Sequence, residues 1–254
     1  MTKTLRLLKL LKNGYSQILN ANLVGIYLHG SYVFDSYNYS VSDLDYLVVV
    51  KKPLSLKDKQ YLMEFTLSQL WPISPAKGLE FHVLLLKDTQ NFSHPLPFDF
   101  HFSKAHYQEY LADKQLYLNN MHGTDPDLAA HIMIINYAGR TLVGEPIQNV
   151  FSVVPKNDYW ASIYFDIANA RENIIQEPTY TILNLCRVLA YKKEQIITSK
   201  LTAGKWGVSR LPAIYAPVIK LAVDDYTSGR LIERNFDKKN LFAFADYMLD
   251  RIKQ

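Results

Sequence analysis

Residues 23–50, LVGIYLHGSYVFDSYNYSVSDLDYLVVV, hold side chains whose types and spacing suit phosphate and metal chemistry. The apolar, β-prone run Leu23 to Leu28 ends at His29-Gly30-Ser31, where the backbone can turn sharply and offer free N–H groups to an anion. Asp43 and Asp45 stand two apart at the start of the run Tyr46 to Val50. Strand side chains alternate, so both carboxylates project from one face. Two such oxygen donors beside a phosphate-binding turn are what magnesium takes, together with substrate phosphates and water. An acidic pair that merely opens a strand is an equally good account of Asp43 and Asp45 by themselves, and the Gly-Ser turn one strand earlier tips the balance. A third carboxylate, Glu80, lies in GLEFHVLLL (78–86), where alternation puts Glu80 and His82 on one face and Leu79, Phe81 and Val83 on the other. A glutamate on a core-forming strand is costly to bury and should face a solvated or charged site. His82 is the weaker candidate, because a lone strand histidine is more often a satisfied structural group.

Positioning these groups requires a sheet and its covers. Leucines at 5, 8, 11 and 19 with Ile18 predict a helix over 3–20 that packs one face on the strand it leads into, in preference to lying on a membrane surface. Pro53-Leu54-Ser55 starts a helix over 55–70, which Pro72 and Pro75 stop. Phe98 to Phe102 reads as a strand followed by a helix from about Ser103. Thr124-Asp125-Pro126-Asp127 reads as a cap, and Leu128 to Val143 as the helix behind it, ended by Gly144 and Pro146. Histidines 94, 101, 106 and 122 tempt a zinc reading, but no His-x-x-x-His pair or cysteine accompanies them. The pattern lapses over Gln148 to Asp158. Beyond it, segments near 158–175, 179–194, 198–207, 212–227 and 238–252 all repeat apolar residues at three and four. The expected fold class is α+β: a domain of mixed β-sheet with helices over 1–153, then an all-α helical bundle over 154–254.

Composition narrows the classes. With 254 residues, 48% of them hydrophobic, the chain has ample material for a buried core. A net charge of +4 without any block of like charges argues against a nucleic-acid tail. The opening MTKTLRLLKLLK is interrupted by lysines and has no signal-peptide core, and no stretch approaches a transmembrane span. Cys186 is the single cysteine, so an intrachain disulfide and a cysteine-based zinc cluster are both out of reach, which fits a cytoplasmic protein. Its place in the periodic run Ile182, Leu183, Leu185, Cys186, Leu189 makes it a core thiol rather than a nucleophile.

Gly30-Ser31, eleven intervening residues, then Asp43-Leu44-Asp45 and an apolar strand resembles the signature of the nucleotidyltransferase superfamily related to DNA polymerase β. Tyr37-Asn38-Tyr39 stands where antibiotic-modifying members often carry glycines. Leu79-Glu80, on the next strand, is similar to the Leu-Glu that supplies the catalytic base in the aminoglycoside adenylyltransferases. DPDLA (125–129) with LVGEP (142–146) resembles a segment of the streptomycin and spectinomycin adenylyltransferases in which the aspartate matching Asp127 lies at the nucleotide site; read by itself, Asp127 is a first-turn carboxylate favoured by the helix dipole. LNLCR ending in Arg187, Lys200 thirteen residues later, and Tyr226 are similar to the C-terminal arginine, lysine and tyrosine that contact ATP in that family. Taken singly, Arg187 and Lys200 would be a solvated helix face. Where the family carries Asp-Glu-Arg-Asn or a close variant touching the drug, this chain has Glu177-Pro178-Thr179-Tyr180.

The resemblance implies a magnesium- and ATP-dependent O-adenylyltransferase that moves AMP to a hydroxyl of an aminoglycoside or aminocyclitol antibiotic, streptomycin or spectinomycin, and releases pyrophosphate. Asp43 and Asp45 would hold magnesium, Ser31 and Ser42 the phosphates, and Asp127, Arg187, Lys200 and Tyr226 the nucleotide. Glu80 would take the acceptor's proton, with Glu177 and Tyr180 at the drug in a cleft between the domains. A small-molecule acceptor, a monomer, and neither a membrane nor nucleic acid are expected. The rivals are a nucleotidyltransferase for a lincosamide, protein or RNA acceptor, and a catalytically silent nucleotide-binding module, against which the retention of Asp43, Asp45 and Glu80 together argues.

Overall fold

The structure is a computed structural model that describes residues 2–228 and 236–254. The chain divides into two compact units, Met1–Tyr159 and Trp160–Gln254. Among the described residues, no helix is long and apolar enough to cross a membrane.

The described residues of the first unit form seven strands: β1 (Leu23–Leu28), β2 (Leu44–Val50), β3 (Leu79–Leu85), β4 (Leu96–Phe98), β5 (Phe100–Phe102), β6 (Gly123–Asp125) and β7 (Arg140–Gly144). Five of them form a mixed sheet in the order β5-β3-β2-β1-β7, and β4 pairs with β6 in a separate ribbon. β2 and β3 are parallel, with Asp45 beside Glu80; the remaining pairs are antiparallel. A parallel pair needs a crossover, and α2 (Leu56–Phe65) supplies it. Its start is secured by a capping box in which Ser55 and Asp58 exchange side-chain and backbone bonds.

One face of the sheet is aromatic and packs under α1 (Lys3–Leu19). Tyr15 of α1 reaches Tyr46 and Thr66 through its hydroxyl at 3.0 and 2.7 Å, so its polar end is satisfied inside the core. Tyr46 stacks on Phe81 at 5.2 Å, and Phe100 and Phe102 complete the layer, all fully buried. The opposite face carries Asp45, Glu80, His82 and His101, which alternation turns away from the aromatic layer. Short helices α3 (Leu86–Gln90), α4 (Tyr107–Ala112) and α5 (Lys114–Asn120) precede α6 (Leu128–Ala138), and α7 (Ile147–Val150) follows β7.

Two expectations are corrected here. The helix expected over 128–143 ends at Ala138; Gly139 follows, where a Cβ would press on the carbonyl of Ile135, and Arg140–Gly144 becomes an edge strand along β1. The strand expected over 98–102 is split at Asp99, whose N–H donates to the Val83 carbonyl at 2.8 Å while its carboxylate accepts from Leu54 N–H at 2.8 Å.

α8 (Lys156–Phe165) runs across the boundary at Tyr159, and the second unit continues with α9 (Ala170–Asn173), α10 (Pro178–Glu194), α11 (Lys200–Arg210), α12 (Ala216–Ser228) and α13 (Lys238–Lys253), with no strand among its described residues. α10 is its centre: Ile182, Leu183, Leu185, Cys186 and Val188 are all fully buried. Pro178 begins α10 without losing a needed N–H, and Gln195 closes it in the left-handed conformation. Gly204 and Gly207 let α11 approach closely: a Cβ on either would press on Leu183 or Cys186.

Candidate active site

The parallel register of β2 and β3 sets the site. Asp43 and Asp45 enter β2 at the end where Glu80 enters β3, and one carboxylate oxygen from each lies within 4.8 Å of the other two. Three half-buried carboxylates so close repel one another unless a cation lies among them, and an all-oxygen donor set suits a hard divalent ion. The expected metal pair is therefore joined by the expected base.

The Gly30-Ser31 turn closes over this cluster. His29 N–H donates to the Asp45 carbonyl at 3.1 Å, extending the β1–β2 ladder by one residue. Gly30 then takes φ +64°, and any Cβ there would run into Asp45 Oδ2, so both backbone and space call for glycine. Ser31 Oγ is buried and has no hydrogen-bond partner among the described residues. Ser42 Oγ instead accepts from Asn38 N–H at 3.1 Å and holds the loop turn. That loop is tied to α1: Tyr37 packs on Tyr32 and meets Thr4 through its hydroxyl at 3.4 Å, and Lys3 lies over Tyr39 at 5.4 Å.

Behind the carboxylates lies a histidine array that local spacing did not reveal. His82 Nε2 is 3.0 Å from Asp125 Oδ2, and Asp125 Oδ1 also accepts from Asp127 N–H at 2.8 Å, fixing the entry to α6. His101 stacks on His82 with ring centres 3.8 Å apart, and His101 Nε2 is 3.8 Å from Glu80 Oε1. His131 of α6 packs against His29 at 4.5 Å and His82 at 5.9 Å. Burial lowers the His82 imidazole to about 4, more than Asp125 raises it, and burial with the neighbouring His131 and His82 holds His29 well below the ordinary imidazole range. Burial would raise the Glu80 carboxyl, but His101, His131 and His82 together outweigh it and hold it at about 2. Asp125 is likewise depressed against its burial, chiefly by His82. At neutral pH, Glu80 is thus ionised. The signal for these histidines was alternation, since His82 shares the Glu80 face and His101 sits between the inward-facing Phe100 and Phe102.

In the second unit the remaining candidates gather on three helices. Glu177 is the N-cap residue of α10, and Tyr180 in its first turn lies under Lys200 Nζ, which begins α11, at 4.2 Å from the ring centre. Thr179 donates to Asp225 at 2.6 Å, bringing the end of α12, with Tyr226, to the same end of the bundle. Arg187, two turns along α10, donates to Asp166 at 2.8 Å.

A mixed sheet with three convergent carboxylates beside a Gly-Ser turn, followed by a helical unit, is the arrangement that the resemblance to the nucleotidyltransferase superfamily leads one to expect. Residues 149–251 match the model of the aminoglycoside adenylyltransferase C-terminal domain. Spectinomycin 9-adenylyltransferases from Enterococcus faecalis and Campylobacter jejuni are each 25% identical to this chain, across 93% of it and 91% of their own length. The fold is also that of the spectinomycin adenyltransferase from Enterococcus faecalis crystallised with ATP and spectinomycin, at a TM-score of 0.78, 22% identity, and coverage of 98% of this chain and 99% of that one. Over nearly its whole length the chain is thus similar to spectinomycin 9-adenylyltransferases, and its residues 149–251 match the C-terminal domain of aminoglycoside adenylyltransferases.

Proposed function

We propose that the protein transfers AMP from ATP to a hydroxyl of an aminocyclitol antibiotic, with spectinomycin preferred over streptomycin, and that it does so as a magnesium-dependent monomer in the cytoplasm. The observation that carries this reading is the convergence of Asp43, Asp45 and Glu80 within 4.8 Å at one end of two parallel strands. Asp43 and Asp45 would hold magnesium, which when bound neutralises phosphate charge. Gly30 and Ser31 would offer a backbone N–H and a hydroxyl to the phosphates, joined by Ser42. Glu80, ionised at neutral pH, accepts the proton as the drug's hydroxyl oxygen bonds to the α-phosphorus; the bond from that phosphorus to the bridging oxygen breaks, and its electron pair leaves on pyrophosphate. Arg187, Lys200 and Tyr226 are assigned to ATP, where the two cations offset charge growing on the leaving group, and Asp127 to the nucleotide. Glu177 supplies a carboxylate for the drug's amines, and the bulk of Tyr180 favours the smaller spectinomycin. Relatives named for spectinomycin support that choice.

The test is incubation with magnesium, ATP and each drug, followed by mass spectrometry of the drug. One added adenylyl group is expected on both, with a higher kcat/KM for spectinomycin. Faster turnover of streptomycin overturns the ordering. No adduct on either drug, with ATP still consumed on another acceptor, moves the protein to a different branch of nucleotidyltransferases.

A further inference from the structure

We infer that His101 is a positioning residue for Glu80, holding one carboxylate oxygen so that the other is free for the acceptor hydroxyl. The inference rests on Glu80 being the proton acceptor of the proposed reaction. β5 has three residues, and its middle one places His101 directly opposite His82 across the β3–β5 ladder. The two rings lie parallel, 2° apart in plane and 3.8 Å between centres. His82 cannot swing away, because it is 1% exposed and its Nε2 is engaged by Asp125 at 3.0 Å. On the outer side His106 meets His101 edge-on at 5.1 Å, and the Tyr117 hydroxyl donates to the His101 carbonyl at 2.7 Å, which pins the strand itself.

His101 is therefore clamped, and its Nε2 is buried with no hydrogen-bond partner among the described residues. The carboxylate within ion-pair reach is Glu80, with Oε1 at 3.8 Å. A buried ring nitrogen left without a partner is destabilising, and a small rotation of the more exposed glutamate would bring the two into hydrogen-bond contact. Active-site hydrogen bonds are often long before ligands bind and tighten afterwards. With Oε1 held by His101, Glu80 has one orientation instead of several, and its second oxygen stays beside Asp43 and Asp45. A purely structural His101 would instead fill space between His82 and His106, and any ring would serve.

The test separates ring from donor. His101→Phe keeps the stack and loses the N–H; His101→Gln loses the stack and places an amide N–H near the former Nε2. For His101→Phe we expect kcat for spectinomycin adenylylation to fall about 10- to 100-fold, the usual cost of losing a group that orients a reactive one. KM for both substrates and calorimetric affinity for magnesium–ATP should stay within about twofold, because the group acts through Glu80 rather than through binding. His101→Gln should recover most of the loss, and adding His101→Phe to Glu80→Gln should cost nothing further. Unchanged kcat in His101→Phe, no recovery in His101→Gln, or additive losses in the double variant would each overturn the proposal. A readout independent of turnover is the His101 ring signal in 15N-histidine spectra of the unmodified protein, which should move in Glu80→Gln. If that signal moves while no drug is adenylylated, the contact stands and the proposed function falls; if it does not move, the positioning role falls.

Discussion

The two units hold their candidate groups in different ways. In the first, Asp43, Asp45 and Glu80 stand on or beside strands whose register is fixed by neighbours on both sides, with fully buried Leu44, Tyr46 and Phe81 between and behind them. Their oxygens converge before any ligand arrives. In the second, Tyr180, Arg187 and Lys200 are long side chains on helices, already occupied with one another or with Asp166. Strands hold short side chains to a fraction of an ångström, while helix ends present long ones that can exchange an internal partner for a ligand. Groups that must meet a reacting atom therefore belong on the sheet, and groups that grip charge can belong to the bundle. The units differ in titratable chemistry as well: all 7 histidines lie at or before His131, so the helical unit has none.

Removing the sheet carboxylates is the sharpest test of that contrast. Glu80→Gln should lower kcat by about 10²- to 10⁴-fold while ATP and drug affinities persist, since the amide keeps the shape and loses the proton acceptor. Asp45→Asn should instead abolish the magnesium-dependent part of ATP affinity measured by calorimetry. Equal loss of binding and turnover in Glu80→Gln would make it a metal or structural residue and erase the division of labour within the cluster.

Acid should destabilise the two units unequally. The His82 imidazole falls from an ordinary 6.5 in the unfolded chain to about 4 in the fold, so its neutral burial is fully favourable above pH 6.5 and is lost as pH falls toward 4. At 1.36 kcal/mol per unit this is roughly 3 kcal/mol from His82 alone. His29 acts in the same direction, and the depressed Glu80 and Asp125 extend the loss below their ordinary carboxylate range. Hydrogen exchange followed by mass spectrometry at pH 7 and pH 5 should show residues 23–131 losing protection first. Equal loss in α10 and α13 would mean that acid sensitivity lies elsewhere.

The smallest expected effect is in the helical unit. Lys200→Met keeps the stem over Tyr180 and removes the charge; KM for ATP should rise about tenfold, with kcat within about threefold and unfolding free energy within about 0.5 kcal/mol of the parent. A kcat loss as large as that of Glu80→Gln would show that the bundle does more than grip.

Much of this was present in the sequence because it depends on local rules. Alternation along 43–46 and 79–83 requires Asp43 with Asp45, and Glu80 with His82, to share faces whatever surrounds them. Gly30 is read from the need for a sharp turn, and the helices of the second unit from apolar residues at three and four. Thr141, Leu142 and Val143 continue a helical pattern in sequence, yet they are drawn into β7, because the outer edge of β1 offers unpaired N–H and C=O groups that only a distant segment can satisfy. The histidine array was equally hidden. His29, His82, His101 and His131 are far apart along the chain, and only the sheet order β5-β3-β2-β1, with α6 laid across it, makes them neighbours. Side-chain direction is a property of one strand, legible from its own residues, whereas which strands lie side by side is decided by long-range pairing, and the pairing of His101 with His82 is of that second kind.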